Sequence, residues 1–321
     1  MKTLKRFPVS ALILALAVLA LPVASRSSGW LFADPQSSSD DPQQIDSRGK
    51  PPSDQEVRER KEKFIANQHR DDEALEQYER VEHHVDRTAG AYPRTLDDRV
   101  YRMVPTGAGT SKIVLRDGDK PVDAETYNRE MQNLKDLLQT MANPNDSRTK
   151  AAVAKRSKRE HDRAEFVDAA KSAFTIKWLG TSALRGRTCD VFELDPDPAF
   201  HPHGMFQDAL THVTAKIWVD RETNQLARGE AHVTNDISFG GGILGKLYRG
   251  GTVSMEQAEV APGIWLPTHI QYDFAGRKFL FTFEQHQSID AGHYRRVGPP
   301  SEALLVVQGE LANGKASIVD P

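Results

Sequence analysis

The stretch Thr214-Ala215-Lys216-Ile217-Trp218-Val219-Asp220 decides the fold class. Its small and aliphatic residues alternate with polar or amphipathic ones, and successive side chains of a strand point to opposite faces. The stretch therefore predicts a half-buried β-strand. A polar turn follows at residues 220–224, and the segment 226–233 is again strand-like. We expect the two segments to form an antiparallel hairpin.

Segments of the same kind lie on both sides of this hairpin and are separated by turn residues. They occupy residues 99–104, 112–116, 175–179, 189–194, 252–260, 266–274 and 278–286. In the last of them, Phe279, Phe281 and Phe283 would share one face. A series of strands this long must pack against helices or another sheet to bury its apolar face.

Two helices are predicted between or before these strands. The apolar residues of the segment 126–141 recur at spacings of three and four, which indicates an amphipathic helix. They are Tyr127, Met131, Leu134, Leu138 and Met141. A charged helix over residues 53–68 begins at Ser53-Asp54-Gln55-Glu56, which matches a capping box, and its sparse apolar stripe is Val57, Phe64 and Ile65.

The N-terminus has the pattern of a secretory signal peptide, which we place at residues 1–25. Lys2, Lys5 and Arg6 precede an apolar run at 9–21, and small residues follow it. The run is shorter than the roughly 20 residues that span a bilayer, so we expect cleavage rather than a retained anchor. The single cysteine, Cys189, lies far downstream, so no acylated N-terminus is expected. These features predict a periplasmic or secreted protein.

The composition limits the classes of function that the protein can have. The 321 residues are 38% hydrophobic and 27% charged, which allows a substantial core. One cysteine cannot form an intramolecular disulfide, so the fold must depend on that core. The net charge is -3, without the positive excess that nucleic-acid binding requires, and we expect no nucleic-acid partner.

The chain is predicted to have four parts, of which the signal peptide is the first. Residues 26–52, rich in Ser, Asp, Gln and Pro, are expected to form a disordered tether after the signal peptide. A β domain over 53–295 follows, with a helical and basic insertion at about 119–172, and a C-terminal tail covers 296–321. The basic stretch 148–163 is interpreted as a solvated helix face or linker, with attraction to anionic lipid as the alternative.

Three segments carry a family resemblance: GRTCDVFELDP at 186–196, KIWVD at 216–220 and GIWLPT at 263–268. With these segments the chain resembles secreted bacterial proteins of the outer-membrane lipoprotein-sorting type, the LolA-like superfamily. The resemblance covers about residues 175–287. It implies an α+β fold in which a curved antiparallel sheet forms an incomplete β-barrel around a few helices. It also implies an apolar cavity that holds acyl chains, and no catalytic residue comes with it.

The residues expected to line such a cavity are large and apolar. Because side chains alternate along a strand, only one face of each strand can point into the cavity. The expected lining residues are Trp178, Phe192, Trp218, Phe239, Leu244, Trp265, Phe279, Phe281 and Phe283. Phe239 and Leu244 flank Gly240, Gly242 and Gly245, which match G-x-G-x-x-G. Because a break at 249–251 precludes the required helix, we interpret the match as an apolar loop rather than a nucleotide site.

We therefore expect an extracytoplasmic carrier or sensor of an apolar ligand such as a lipid or lipoprotein acyl chain, without enzymatic activity or a cofactor. A monomer with transient contact to a membrane or lipoprotein is expected. One alternative is an envelope scaffolding module without a small ligand. Another is a metal-dependent hydrolase at 195–212, but prolines keep the Asp and His side chains there apart, so no metal is expected.

Overall fold

The computed structural model describes residues 44–90, 92–240 and 242–313. The predicted signal peptide and the predicted tether up to residue 43 lie outside the described residues. The chain divides into two compact units. Unit 1 comprises the described residues up to Asp72, together with Arg87–Leu96 and Arg163–Gln287. Unit 2 comprises Glu73–Asp86, Asp97–Asp162 and the described residues from Ser288 onwards.

Helices and strands are numbered here in chain order. The helices are α1 (Asp54–Leu75), α2 (Ala124–Met141), α3 (Ser147–Ala173), α4 (Met205–Asp208) and α5 (Pro300–Ala312). The first strands are β1 (Tyr78–Arg87), β2 (Thr95–Pro105), β3 (Thr110–Asp117), β4 (Lys120–Pro121), β5 (Phe174–Leu184), β6 (Arg187–Pro196) and β7 (Val213–Asp220). The later strands are β8 (Leu226–Val233), β9 (Ile237–Phe239), β10 (Gly245–Leu247), β11 (Thr252–Ala261), β12 (Ile264–Lys278) and β13 (Phe281–Arg296).

In unit 2 the strand order is β4-β3-β2-β1-β13. Helix α2 begins after Asp123, whose carboxylate accepts a hydrogen bond from the Thr126 amide at 2.8 Å and caps the helix. The five apolar residues predicted from spacing are all buried, which confirms the amphipathic helix. Four of them join the apolar core of this unit with the apolar residues of β1, β2, β3 and α5.

A buried ion cluster joins three strands to helix α5 within unit 2. Arg102 on β2 forms ion pairs with Glu79 on β1 at 2.8 Å and with Glu310 on α5 at 2.7 Å. Arg295 on β13 pairs with the same two carboxylates at 2.5 and 2.7 Å. These contacts hold the Glu310 pKa below its usual value against the effect of burial. The cluster therefore anchors a helix that lies inside the predicted C-terminal tail.

In unit 1 the strand order is β13-β12-β11-β8-β7-β6-β5, and the short β10 pairs with both β9 and β12. Alternation along β6 gives its two faces different roles. Phe192 pairs with Ile217, and the next residue pair along the ladder is Val191 with Trp218. Val191 and Trp218 belong to a buried cluster with Cys189, Leu184, Ala227 and Trp265. Phe192 and Ile217 face the opposite side.

The segment before α1 lies against strand β5. The Asp46 amide donates to the Thr181 carbonyl at 2.8 Å, and the Thr181 amide donates to the Asp46 carbonyl at 3.0 Å. Gly180 has a φ of 145°, and a Cβ at this position would lie 2.5 Å from the Asp46 carbonyl oxygen. Only glycine permits this approach, which occurs within a stretch expected to be tether.

The predicted fold class is confirmed: the protein is α+β, with a large, curved antiparallel sheet in which β4 and β5 are the outermost strands among the described residues. The capping box is confirmed by hydrogen bonds in both directions between Ser53 and Glu56. One predicted strand is wrong. Residues 278–286 do not form a single strand, because the chain turns at Phe279 (φ 53°) and Leu280 between β12 and β13.

We expect Arg102→Ala to lower the free energy of unfolding of unit 2 by about 3–5 kcal/mol, because it leaves the carboxylates of Glu79 and Glu310 without one of their partners. Arg99→Ala on the same strand is the control. Its ion pairs with Asp97 and Asp117 are partly exposed and should cost about 1 kcal/mol or less. Urea unfolding of both variants measures the difference, and equal losses would contradict the assigned role of the cluster.

We expect Gly180→Ala to release the segment 44–50 from β5, because the new methyl group would overlap the Asp46 backbone. Trypsin should then cut after Arg48 about tenfold faster, as followed by mass spectrometry. Gly186→Ala is the control: Gly186 also has a positive φ, 76°, but its Cβ would enter open space. If both variants were cut at the wild-type rate, the packing of this segment would not protect it.

Candidate ligand cavity

A largely apolar cavity of about 140 Å³ lies in unit 1 between the helices α1 and α3 and one face of the sheet. The sheet contributes residues of β5, β6, β7 and β8. The apolar lining consists of Val57, Phe64, Ile65, Phe166, Val167, Ala170, Phe174, Ile176, Phe192, Leu194, Ile217, Val219 and Leu226. The polar lining consists of Arg60, Lys61, Gln68, His69, Arg163 and Lys171.

Local structure explains why these residues converge. Phe192 and Leu194 are two apart on β6, as are Ile217 and Val219 on β7, so each pair projects from one face of its strand. Val57, Phe64 and Ile65 are spaced along one side of α1, and their number is small for a helix of 22 residues. The few apolar side chains of α1 lie opposite a fully apolar face of the sheet, and they do not fill the space between the helix and the sheet. The cavity follows from that mismatch.

Helix α1 is fixed over the sheet by a buried carboxylate. Asp190 on β6 is fully buried and accepts hydrogen bonds from Arg60 at 2.5 Å and Arg221 at 3.0 Å. Its second oxygen accepts a hydrogen bond from the Trp178 indole at 2.8 Å. Arg60 also donates to the Asn224 side chain at 2.9 Å. Arg60 therefore links the helix both to the strand and to the β7–β8 turn.

The ionisable residues that line the cavity are all basic. Arg60 pairs with Asp190, Arg163 with Asp72, and Lys171 with Asp168. Lys61 differs, since its ammonium donates to the backbone carbonyl of Lys171 at 2.7 Å. Among the described residues, no carboxylate forms an ion pair with Lys61. Burial lowers the Lys61 pKa, and the nearby Lys171 charge acts in the same direction.

The structure brings only some of the predicted cavity residues to this site. Phe192 lines the cavity. Trp178 lies nearby, but its indole binds Asp190, and a side chain at Gly49 would meet its ring at 3.4 Å. Trp218 and Trp265 are buried in the cluster on the opposite face of the sheet. Their side chains support the sheet rather than the cavity.

The remaining predicted residues belong to two hairpins elsewhere in unit 1. Leu244, Phe279 and Phe281 are at least half exposed, and Phe239 and Phe283 are half-buried. The glycine-rich match at 240–245 begins directly after β9 and ends at Gly245, the first residue of β10. None of these five residues is among the lining of the cavity.

Sequence reasoning missed the contribution of helix α3 to the cavity. Phe166, Val167 and Ala170 lie just past the basic stretch, which was interpreted as a solvated face or linker. The structure continues this stretch as one helix to Ala173. The spacing of Phe166, Val167 and Ala170 at three and four was the available signal.

The loop predicted as a candidate metal site forms a second, more polar cavity of about 370 Å³. Its lining includes Asp197, Phe200, His201, His203 and Gln207. Within the described parts of the chain, no group of three or more His, Cys, Asp or Glu residues is placed to hold a metal ion. Cys189 is buried in the core, and burial raises its pKa to about 12, so it is a poor nucleophile at neutral pH.

Comparison with known proteins gives only distant similarities. No protein-family model matches the chain, and no curated protein matches it. One similar structure is a DUF1329 family protein from Desulfovibrio piger, at 11% identity and a TM-score of 0.28, covering 75% of this chain and 92% of that one. In the described residues, no helix is long and apolar enough to cross a membrane.

Two further similar structures carry names from the group that the sequence resembles. One is described as an outer membrane lipoprotein-sorting protein domain from Vibrio parahaemolyticus, at 8% identity and a TM-score of 0.30, covering 78% of this chain and 96% of that one. The other is a LolA superfamily protein from Nitrosomonas europaea, at 10% identity and a TM-score of 0.28, covering 77% and 96%.

Proposed function

We propose that this protein binds an apolar ligand with an acidic head group, as a carrier or sensor outside the cytoplasm. The observation that carries the proposal is the cavity between α1, α3 and the sheet, whose lining is apolar except for basic side chains and one glutamine. Apolar pockets with a few placed polar groups are the usual form of small-molecule sites. The extracytoplasmic location rests on the signal-peptide pattern of residues 1–25.

The volume of the cavity limits what it holds without rearrangement. An apolar cavity of about 150 Å³ accepts a benzene-sized molecule. The present volume of about 140 Å³ therefore fits a short segment of an acyl chain. At about 0.8 kcal/mol for each buried methylene, six methylenes would contribute about 5 kcal/mol, which corresponds to weak binding. A tightly bound longer chain requires α1 and α3 to move apart.

The charges around the cavity favour an anionic head group over a neutral or cationic one. Lys61 is the candidate contact, since its ammonium has a backbone carbonyl as partner and no carboxylate ion pair among the described residues. A carboxylate or phosphate beside it would form a charge-assisted hydrogen bond. Such a contact would also restore the Lys61 pKa that burial lowers. The head group would then fix the orientation of the chain.

The proposal describes a binding protein rather than an enzyme. Cys189 is buried, and the His-rich loop holds no group of three metal ligands among the described residues. Two features support the proposed binding chemistry: an apolar volume and a partly buried ammonium.

We expect Ala170→Phe to weaken binding of dodecanoate at least tenfold, because a benzyl group matches the size of the cavity. Ala164→Phe is the control, since Ala164 lies on the same helix and is exposed. Isothermal titration of dodecanoate into the wild type and both variants measures the effect. If Ala170→Phe bound dodecanoate as well as Ala164→Phe does, the cavity would not be the binding site.

We expect Lys61→Met to weaken binding of dodecanoate about tenfold and to leave dodecanol binding unchanged, because only the acid contacts the ammonium. Lys63→Met, which removes an exposed lysine two residues away, is the control. The two ligands are compared by titration at pH 7. A similar loss for the acid and the alcohol would show that Lys61 supports the helix rather than the head group.

A further inference from the structure

Two neighbouring hairpin tips in unit 1 expose five large apolar side chains, which we name the apolar tip. It consists of Ile243, Leu244, Phe279, Leu280 and Phe281, and each of these residues is 51–86% exposed. Isolated apolar residues are common on protein surfaces, but a contiguous exposed group marks an interaction site. This group does not line the ligand cavity.

Backbone contacts make the two hairpins one surface. Strand β10 pairs with the end of β12, with Gly245 opposite Lys278. The Phe279 amide donates to the Leu244 carbonyl at 3.3 Å, and the Arg277 side chain donates to the Gly242 carbonyl at 2.9 Å. At Gly276, a Cβ would lie 2.5 Å from the Lys246 carbonyl oxygen, so the close approach of the strands requires glycine.

The charges next to the apolar tip are mostly positive, with Asp236 and Glu284 as the nearby acidic residues. Residues 239–249 and 275–283 contain Lys246, Arg249, Arg277 and Lys278, and neither segment contains an aspartate or a glutamate. Lys246 forms an ion pair with Asp236 at 2.7 Å, outside these segments. The local excess contrasts with the net charge of -3 for the whole chain. An anionic partner therefore fits this surface.

We propose that the apolar tip docks this protein on an anionic lipid membrane. Aromatic and aliphatic side chains at the end of a hairpin can enter the boundary between head groups and acyl chains, as the apolar face of an interfacial helix does. Lysine and arginine beside them interact with anionic head groups. The inference goes beyond the proposed ligand binding, because docking needs no occupant in the cavity.

The test is co-sedimentation of the purified full chain with lipid vesicles. We expect binding to vesicles of phosphatidylcholine and phosphatidylglycerol at 3:1, and at least tenfold weaker binding to pure phosphatidylcholine. Raising the salt concentration should weaken the binding, because head-group attraction is screened. Binding of equal strength to both vesicles at all salt concentrations would overturn the role of charge.

Substitutions locate the docking surface. We expect the double variant Leu280→Asp/Phe281→Asp to lose at least tenfold in binding to the anionic vesicles. Leu305→Asp is the matched control, because Leu305 on α5 is 68% exposed and lies outside the apolar tip. Equal binding of the double variant and the control would overturn the proposal. Thermal unfolding of both variants should match the wild type, since the altered side chains are exposed.

A variant that gains a fluorescence signal on membranes tests the proposal without relying on a loss of vesicle binding. We expect the Trp introduced by Leu280→Trp to shift its fluorescence to shorter wavelength on anionic vesicles and to be quenched by brominated lipids. The opposite result has two parts: the fluorescence shift is absent, and the wild type self-associates in ultracentrifugation while Leu280→Asp/Phe281→Asp does not. That result would overturn the proposal and make the apolar tip a contact between copies of this chain.

Discussion

The ion pair between Arg60 and the buried Asp190 holds helix α1 over the sheet in unit 1. The apolar stripe of α1 is too sparse to keep the helix in place by packing alone. A buried carboxylate without its partners would be strongly destabilising, so Asp190 requires the Arg60, Arg221 and Trp178 donors around it. Further polar contacts hold the second half of the helix, where the Asn67 side chain donates to the Thr223 carbonyl at 2.9 Å and Asp72 pairs with Arg163, while the space beneath the helix stays partly unfilled.

This arrangement links fold to binding. The same face of β6 presents the anchoring carboxylate and then Phe192 and Leu194, which line the cavity. In the proposed function, basic residues of the helices would supply a counter-charge for the head group, and the apolar face of the sheet would contact the chain. The two kinds of contact would then come from opposite sides of the cavity.

Much of the fold could be predicted from the sequence because its signals are local. Period-two alternation located β7 and β8, and the spacing of Tyr127 to Met141 located α2. The cavity could not be predicted in the same way. The choice of aromatic residues followed their size, whereas lining a cavity depends on which face each residue occupies. Trp218 and Ile217 are neighbours in the chain, and the smaller of the two faces the cavity.

The hairpin at Phe279 and Leu280 shows a second limit of sequence reasoning. Left-handed backbone at a turn is normally signalled by glycine, asparagine or aspartate, but here Phe279 adopts a φ of 53°. The run of alternating phenylalanines therefore predicted one continuous strand. The turn is held instead by pairing of β12 with β10, which is a contact distant in sequence. The exposed apolar tip could not be predicted from the sequence either, because it forms at this unpredicted turn.

The unpaired outer side of β5 has a consequence for the behaviour of the chain at high concentration. An open strand edge is a template on which another molecule can add a strand, and natural proteins block such edges. Here the Asp46 bridge to Thr181 and the register shift between Trp178 and Gly180 occupy and distort that edge. The residues just before α1 therefore cover part of this edge, and we expect a shortened protein lacking them to leave more amides and carbonyls of β5 open to intermolecular pairing.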